Sequence, residues 1–246
     1  MDVEIFIGYD SRERTAWEVC ARSIIRHAAL PPTISPIGMG TLNGHYRRPT
    51  ERRDGILFDT VSKAPMSTEF ALARFFVPCV AKASWALFCD ADFMFRADVA
   101  ELFALADMRF AVQVVKHEHH PIDKVKMDGQ PQTDYPRKNW SSLMLWNMQH
   151  AGVRRLKLGD ANTMPGLWLH QFAWLDAHEI GALPLEWNWL ESVSSPAIEP
   201  KAVHFTRGVP GMIKPPVAYA EEWLSHVSFE QGARLRHFHE RLEVAA

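Results

Sequence analysis

Asp90 and Asp92 stand with one residue between them, directly after the apolar run Trp85-Ala86-Leu87-Phe88-Cys89. In extended backbone, residues two apart point to the same side. The pair would therefore offer two hard oxygen ligands at the carboxyl edge of a sheet, where a divalent cation can bridge them to a phosphate. The same spacing also suits a loop in which both Asp side chains cap a turn. Both readings stay open on these residues alone. Asp10, in Gly8-Tyr9-Asp10-Ser11, either caps the helix that follows or accepts hydrogen bonds from a base or ribose. Arg74 lies among apolar residues, where it either snorkels to solvent or aims a cation at a phosphate or sugar. His117, His119 and His120 crowd a hydrophilic stretch over 116–137. Without further spaced ligands they read as a loop near substrate rather than as a metal cluster.

The elements that must position these groups follow an α/β order. A strand is expected over 3–10, then a helix over 12–27 with Trp17, Cys20, Ile24 and Ile25 on one face. A strand over 33–39 follows, and 42–59 reads as a polar, basic loop over the active face. A helix is expected over 66–80, with Phe70, Ala73, Phe76 and Val77 as its apolar stripe. The strand over 85–89 is apolar throughout and so reads as buried on both faces. Next come a short helix over 98–106 and strands over 110–115 and 143–147. A helix over 165–177 begins at proline, strands lie within 180–190 and 202–206, and amphipathic helices are expected over 217–227 and 229–244. Neither GxGxxG nor GxxxxGK[ST] is present, so no dinucleotide fingerprint or P-loop is expected.

The 246 residues fit one domain over 1–214 with a C-terminal helical extension over 215–246 packed on it. A weak membrane-surface association or dimer contact is the less common use of such helices. A net charge of −2 argues against general nucleic-acid binding, although Arg47, Arg48, Arg52 and Arg53 cluster in one segment. The three cysteines are far apart without CxxC spacing, which suits a reducing, cytoplasmic setting, and neither a secretory signal nor a membrane span is read in the chain. The nine tryptophans suit sugar platforms as well as cores.

Several cues occur in one order. They are Tyr9-Asp10 after the first strand, an Arg74-bearing helix ending in Pro78, Phe88-Cys89-Asp90-Ala91-Asp92, Asn139 before an apolar strand, Gln171 in a helix, Trp187-Asn188, and His204-Phe205-Thr206. In these the chain, from Ile5 to about Gly211, resembles the retaining nucleotide-sugar glycosyltransferases of the GT-A fold. The nearest likeness is to family 8, the group of glycogenin and bacterial lipopolysaccharide galactosyl- and glucosyltransferases. The resemblance implies an α/β fold with a mixed, mostly parallel sheet flanked by helices. It implies metal-dependent transfer of a sugar from a UDP-linked donor to a glycan or other acceptor hydroxyl, with retention of configuration. Asp90, Asp92 and His204 would hold Mn²⁺ or Mg²⁺, and an imidazole ligand favours manganese. Tyr9 and Asp10 would meet the nucleoside, Arg74 the diphosphate or donor sugar, Asn139 the donor sugar, and Gln171 would lie under the anomeric carbon, with Asp92 sharing the catalytic role. Two positions depart from the family pattern. His170 stands where Asp commonly precedes the Gln, and Arg207-Gly208-Val209-Pro210-Gly211-Met212 replaces a Lys-Pro-Trp segment, so Arg207 is the candidate for the missing charge. A nucleotidyltransferase and a non-catalytic sugar- or nucleotide-binding domain are the alternatives. The first would need an early glycine-rich phosphate loop.

Overall fold

The structure, a computed structural model, describes residues 2–117, 137–213 and 216–227. β1 (Val3–Gly8) buries Ile5 and Ile7 completely. A 3-10 turn, Ser11–Glu13, leads into α1 (Arg14–His27), which turns Val19, Cys20 and Ile24 inward. Ile25, expected on that face, is exposed. β2 (Ile34–Ile37) runs parallel to β1.

Residues 42–59 are not the expected loop. They contain β3 (Thr50–Arg53) and β4 (Ile56–Asp59), joined through Asp54 and Gly55 at φ 51° and 82°. Positive φ at both central positions is the hairpin geometry that matches strand twist, and Asp-Gly adopts it readily. β5 (Ala64–Met66) completes an antiparallel sheet in the order β3-β4-β5. The hairpin is anchored by a dry ion pair, with Arg48 Nη2 2.7 Å from Asp59 Oδ2 and both side chains 0% exposed.

The single helix expected over 66–80 is also replaced. Only the 3-10 turn Ala73–Phe76 and α2 (Val77–Val80) are helical. The preceding polar groups are drawn elsewhere: the Glu69 N–H donates to Asp10 Oδ2 at 2.9 Å, and the Ser67 carbonyl accepts from Arg12 at 2.8 Å. Such side-chain bonds compete directly with a helical ladder. Phe70, Ala73, Phe76 and Val77 are nonetheless buried.

β6 (Trp85–Cys89) is buried at every residue and is followed by β7 (Phe93–Phe95) and α3 (Val99–Phe103). β8 (Val112–Val115), β9 (Leu143–Asn147), α4 (Leu158–Thr163) and α5 (Gly166–His170) come next. β10 (Ile180–Leu183), β11 (Trp189–Leu190), β12 (Ala202–His204) and α6 (Ala220–Ser225) complete the order. The main sheet has the order β10-β8-β9-β6-β1-β2, and only β9 runs against its neighbours. Alternate residues of β6 face opposite sides: Ala86 and Phe88 join Phe75, Phe76 and Trp146 in one core layer, while Trp85, Leu87 and Cys89 join Cys20 and Ile24 in the other. A small sheet, β11-β12-β7, is laid beside the main one.

α5 stops at His170 instead of running to 177 because Phe172 takes a left-handed backbone, φ 51°. That conformation costs about 1–2 kcal/mol. It lets the wholly buried ring pack against Phe75, Trp146 and Trp174, which outweighs the cost. At the C-terminal end, α6 buries Trp223 completely, and Arg22 Nη1 donates to the His226 carbonyl at 2.9 Å. The helix expected over 229–244 lies outside the described residues. Among the described residues no helix is long and apolar enough to cross a membrane.

Candidate functional site

The site grows from the strand directions. β1, β6 and β8 run the same way, so their carboxyl ends share one edge of the sheet, and the turn entering the oppositely directed β9 meets them there. The Asp90 N–H donates to the Ser142 carbonyl at 3.0 Å, which joins the Asp-x-Asp turn to that entry. β7 then leaves the turn and pairs antiparallel with β12, placing His204 opposite Phe93. The Phe205 N–H donates to the Asp92 carbonyl at 3.0 Å, and the His204 ring stacks on Phe93 with centroids 4.4 Å apart.

Asp90, Asp92 and His204 thereby converge, each offering one ligand atom, with all three atoms within 4.8 Å of one another. His204 Nε2 is 3.3 Å from Asp92 Oδ1. Its Nδ1 lies 2.9 Å from Asn188 Oδ1, while Asn188 Nδ2 donates to Ser142 Oγ at 2.9 Å. The Asn188 oxygen must then accept from His204, leaving the Nε2 lone pair for a cation. Asp92 Oδ1 is buried without a hydrogen-bond partner among the described residues, and Asp90 Oδ1 is met by the Arg74 guanidinium. Two carboxylates, one with an unpartnered buried oxygen, beside an oriented imidazole are a donor set that fits a divalent ion.

Arg74 does not snorkel. It is 7% exposed, with Nη1 2.8 Å from Asp90 Oδ1 as an ion pair and donating to the Ser141 carbonyl at 2.9 Å. Burial pushes the Asp90 carboxyl up to about 6; Arg74 and His204 oppose that shift and Asp92 adds to it. Glu13, half-buried where the 3-10 turn meets α1, is pushed up to about 7, first by burial and then by the charges of Asp92, Asp10 and Asp90. Its folded value lies above its ordinary 4.5, so the folded state holds the proton more tightly and stability falls as pH rises through 4.5 to 7. Glu13→Gln is therefore expected to raise the melting temperature of the chelator-treated protein at pH 8 and to leave it unchanged at pH 4. A melt series across that range checks this, and an equal gain at both ends would refute it. Burial, with His204 adding, pushes the His117 imidazole down to about 4.

The other expected site residues have distinct fates. Asp10 is 0% exposed and both oxygens are engaged: Oδ1 accepts from the Arg12 main chain and Nε, and Oδ2 from Arg12 Nη2 and the Glu69 N–H. The capping role open to it is therefore filled, by bonds that shape the turn. Tyr9 is half-buried beside Trp17, ring centroids 6.1 Å apart. Asn139 has φ 63°, the left-handed bend that turns the chain into β9. The Gln171 carbonyl accepts from Arg137, and its side chain is half-buried at the end of α5. His170 Nδ1 is 2.8 Å from Ser141 Oγ, so the departure at this position still ties α5 to the Arg74 anchor. Arg207 is neutralised: Nε and Nη2 each donate to a Glu191 oxygen at 2.9 Å. The sequence reading assigned no role to Asn188, Ser141, Ser142, Glu191 or Glu13. The one signal available was the amide between two tryptophans, Trp187-Asn188-Trp189, since a polar group in such company is buried with partners. Beside the Asp10 turn a cleft of about 480 Å³ opens against Met39, Arg52, Leu57 and Glu69.

No protein-family profile matches the chain. Protein CDI of Arabidopsis thaliana is 41% identical over 212 residues, covering 84% of this chain and 78% of that protein. Among solved structures, the WbbM bifunctional glycosyltransferase matches 96% of this chain with a TM-score of 0.64 at 15% identity, the chain spanning 51% of that protein. The glycosyltransferase GlyE of Streptococcus pneumoniae TIGR4 gives 0.56 at 12% identity over 97% of this chain and 64% of its own. The galactosyltransferase LgtC, solved with donor and acceptor sugar analogs, gives 0.56 at 14% identity over 91% of this chain and 94% of its own. The fold is that of the GT-A glycosyltransferases.

Proposed function

The chain belongs to the family of Protein CDI, and we propose that it is a metal-dependent glycosyltransferase that moves a sugar from a UDP-linked donor to an acceptor hydroxyl with retention of configuration. The observation that carries this reading is the convergence of Asp90, Asp92 and His204, with Asp92 Oδ1 buried and unpartnered among the described residues, on a GT-A fold. Within that fold the order of motifs supports the family 8 group. Mn²⁺ or Mg²⁺ held there would act as a Lewis acid toward the departing diphosphate, and the imidazole in the donor set favours manganese.

The chain's own residues do the rest. Arg74 pins Asp90 in its ligand orientation through the Ser141 carbonyl, and Asn188 fixes the His204 tautomer. Because Ser141 also holds His170, the residue before Gln171, any movement of α5 is coupled to the Asp90 anchor. Gln171 brings a neutral amide rather than a carboxylate nucleophile. This supports a front-face, oxocarbenium-like transfer in which the site supplies dipoles and excludes water. The cleft lined by Met39, Arg52, Leu57 and Glu69, large enough for a base, is assigned to the nucleoside, and Asn139 to the donor sugar. Asp10 acts there through the turn it caps, and Arg207 through Glu191. Three free cysteines support a reducing, cytoplasmic setting. Calorimetry with UDP tests the reading: binding should require Mn²⁺, and metal-independent binding or none would sink it. A product of inverted configuration by NMR would remove the retaining mechanism.

A further inference from the structure

We propose that His117 is a further binding residue of this site, its Nε2 accepting a hydrogen bond from a hydroxyl of the sugar carried by the donor. The proposal rests on the glycosyltransferase reading above. His117 follows β8 directly and so sits at the same sheet edge as Asp90. Its backbone is held at both ends: the N–H donates to the Val115 carbonyl at 3.1 Å, and its own carbonyl accepts from Trp140 Nε1 at 3.3 Å. The ring is hydrogen-bonded by the main chain of Asn188, in the sense that favours a proton on the ring, so the Asn188 carbonyl is the acceptor. Nε2 is buried and has no partner among the described residues. The bond to Asn188 must therefore come from Nδ1–H, which puts the lone pair on Nε2.

Asn188 thus orients two imidazoles in the same way, His204 through its side-chain oxygen and His117 through its main chain. Their tasks differ. The atoms that could share a cation come from Asp90, Asp92 and His204, and His117 is outside that cluster. A buried acceptor without a partner is costly unless a ligand completes it. Diphosphate oxygens have no proton to give, so the partner must be a hydroxyl or N–H. The sheet order then separates the two parts of the donor that carry such groups. Asp90 at the end of β6 lies between β1, which leads to the Tyr9 and Asp10 turn, and the β9 and β8 flank, which carries Asn139 and His117. With the nucleoside on the β1 side and the diphosphate over Asp90, the sugar is what reaches His117.

Isothermal titration of the full chain in Mn²⁺ compares UDP with UDP-glucose and UDP-galactose for the wild type, His117→Ala and His117→Gln. His117→Ala is expected to leave the Kd for UDP within about twofold and to weaken whichever sugar nucleotide the wild type binds better by about tenfold. His117→Gln, whose amide oxygen restores an acceptor, should recover most of that loss. Equal weakening of UDP and the sugar nucleotide overturns the proposal in favour of a role in the metal site or the fold. Unchanged binding of both overturns it as well. A wild type that binds none of the three ligands in Mn²⁺ removes the glycosyltransferase reading and this inference together, an outcome visible before any variant is made.

Discussion

Asp92→Asn is expected to lower donor turnover by about 100- to 10,000-fold, because a cation at a departing diphosphate contributes several kcal/mol and each 1.36 kcal/mol is tenfold in rate. The same change should leave the metal-free protein as stable as the wild type or more so. Asp92 Oδ1 is buried without a hydrogen bond among the described residues, and the Asp92 charge adds to the burial that holds the Asp90 carboxyl up at about 6. Removing one charge relieves that repulsion, so activity and stability move in opposite directions. This separates a functional carboxylate from a structural one. Thermal melts supply the second arm. For the wild type, Mn²⁺ with UDP at a concentration of about 100 Kd adds roughly 2.7 kcal/mol, or about 5–10 °C for a chain of this length. The increment should vanish in Asp92→Asn. A variant that keeps it, or that unfolds without ligand, would show that Asp92 does not serve the cation.

The largest expected loss of stability lies away from the metal cluster, at Arg48. Arg48 Nε and Nη2 reach the two oxygens of Asp59, Nη1 donates to the carbonyls of Ala161 and Met164 at 2.9 Å, and the paired side chains are wholly buried. The Asp59 carboxyl is held below its usual range by Arg48 and Ser62 against the opposing effect of burial. Arg48→Met leaves that carboxylate buried and unpaired and should cost about 3–5 kcal/mol. Arg48→Met with Asp59→Leu should recover a large part of the loss, because an apolar pair carries no desolvation penalty. Urea denaturation of the two single variants and the double variant closes the cycle. A cost below about 1 kcal/mol for Arg48→Met would mean that the pair behaves like a solvated surface bridge. The consequence for function is positional: the pair fixes the β3–β4 hairpin, which supplies Arg52 and Leu57 to the cleft beside the Asp10 turn.

Much of the architecture was legible where the local pattern and the global fold agree. The five apolar residues of β6 read as a buried strand, β9 matched its expected span, and the two carboxylates after β6 stayed open between a ligand pair and a turn cap. The order of motifs added His204, which spacing alone could not have supplied. Other elements were misread for identifiable reasons. Asp54-Gly55 carries a hairpin signal that the surrounding arginines masked as a solvated loop. Residues 66–80 have the apolar stripe of a helix, but Asp10 and Arg12 take their backbone groups from outside the segment. Phe172 ends α5 because a ring gains more from Trp146 and Trp174 than the backbone loses. Asp10 was open between a cap and a nucleoside contact and Arg207 was read for its charge, and each is met by a partner, Arg12 and Glu191, that the chain itself provides.

The sequence by itself therefore determined the residue types of the site and the edge of the sheet at which they cluster, because strand ends and their polar residues are local features. Only the tertiary structure decided which of those groups remain available. Arg74 is aimed at Asp90 by Ser141, His204 and His117 are oriented by one asparagine, and Asp10 caps its own turn. Availability depends on where every competing donor and acceptor comes to rest, and that is fixed when β7 and β12 pair and β9 enters beside β6.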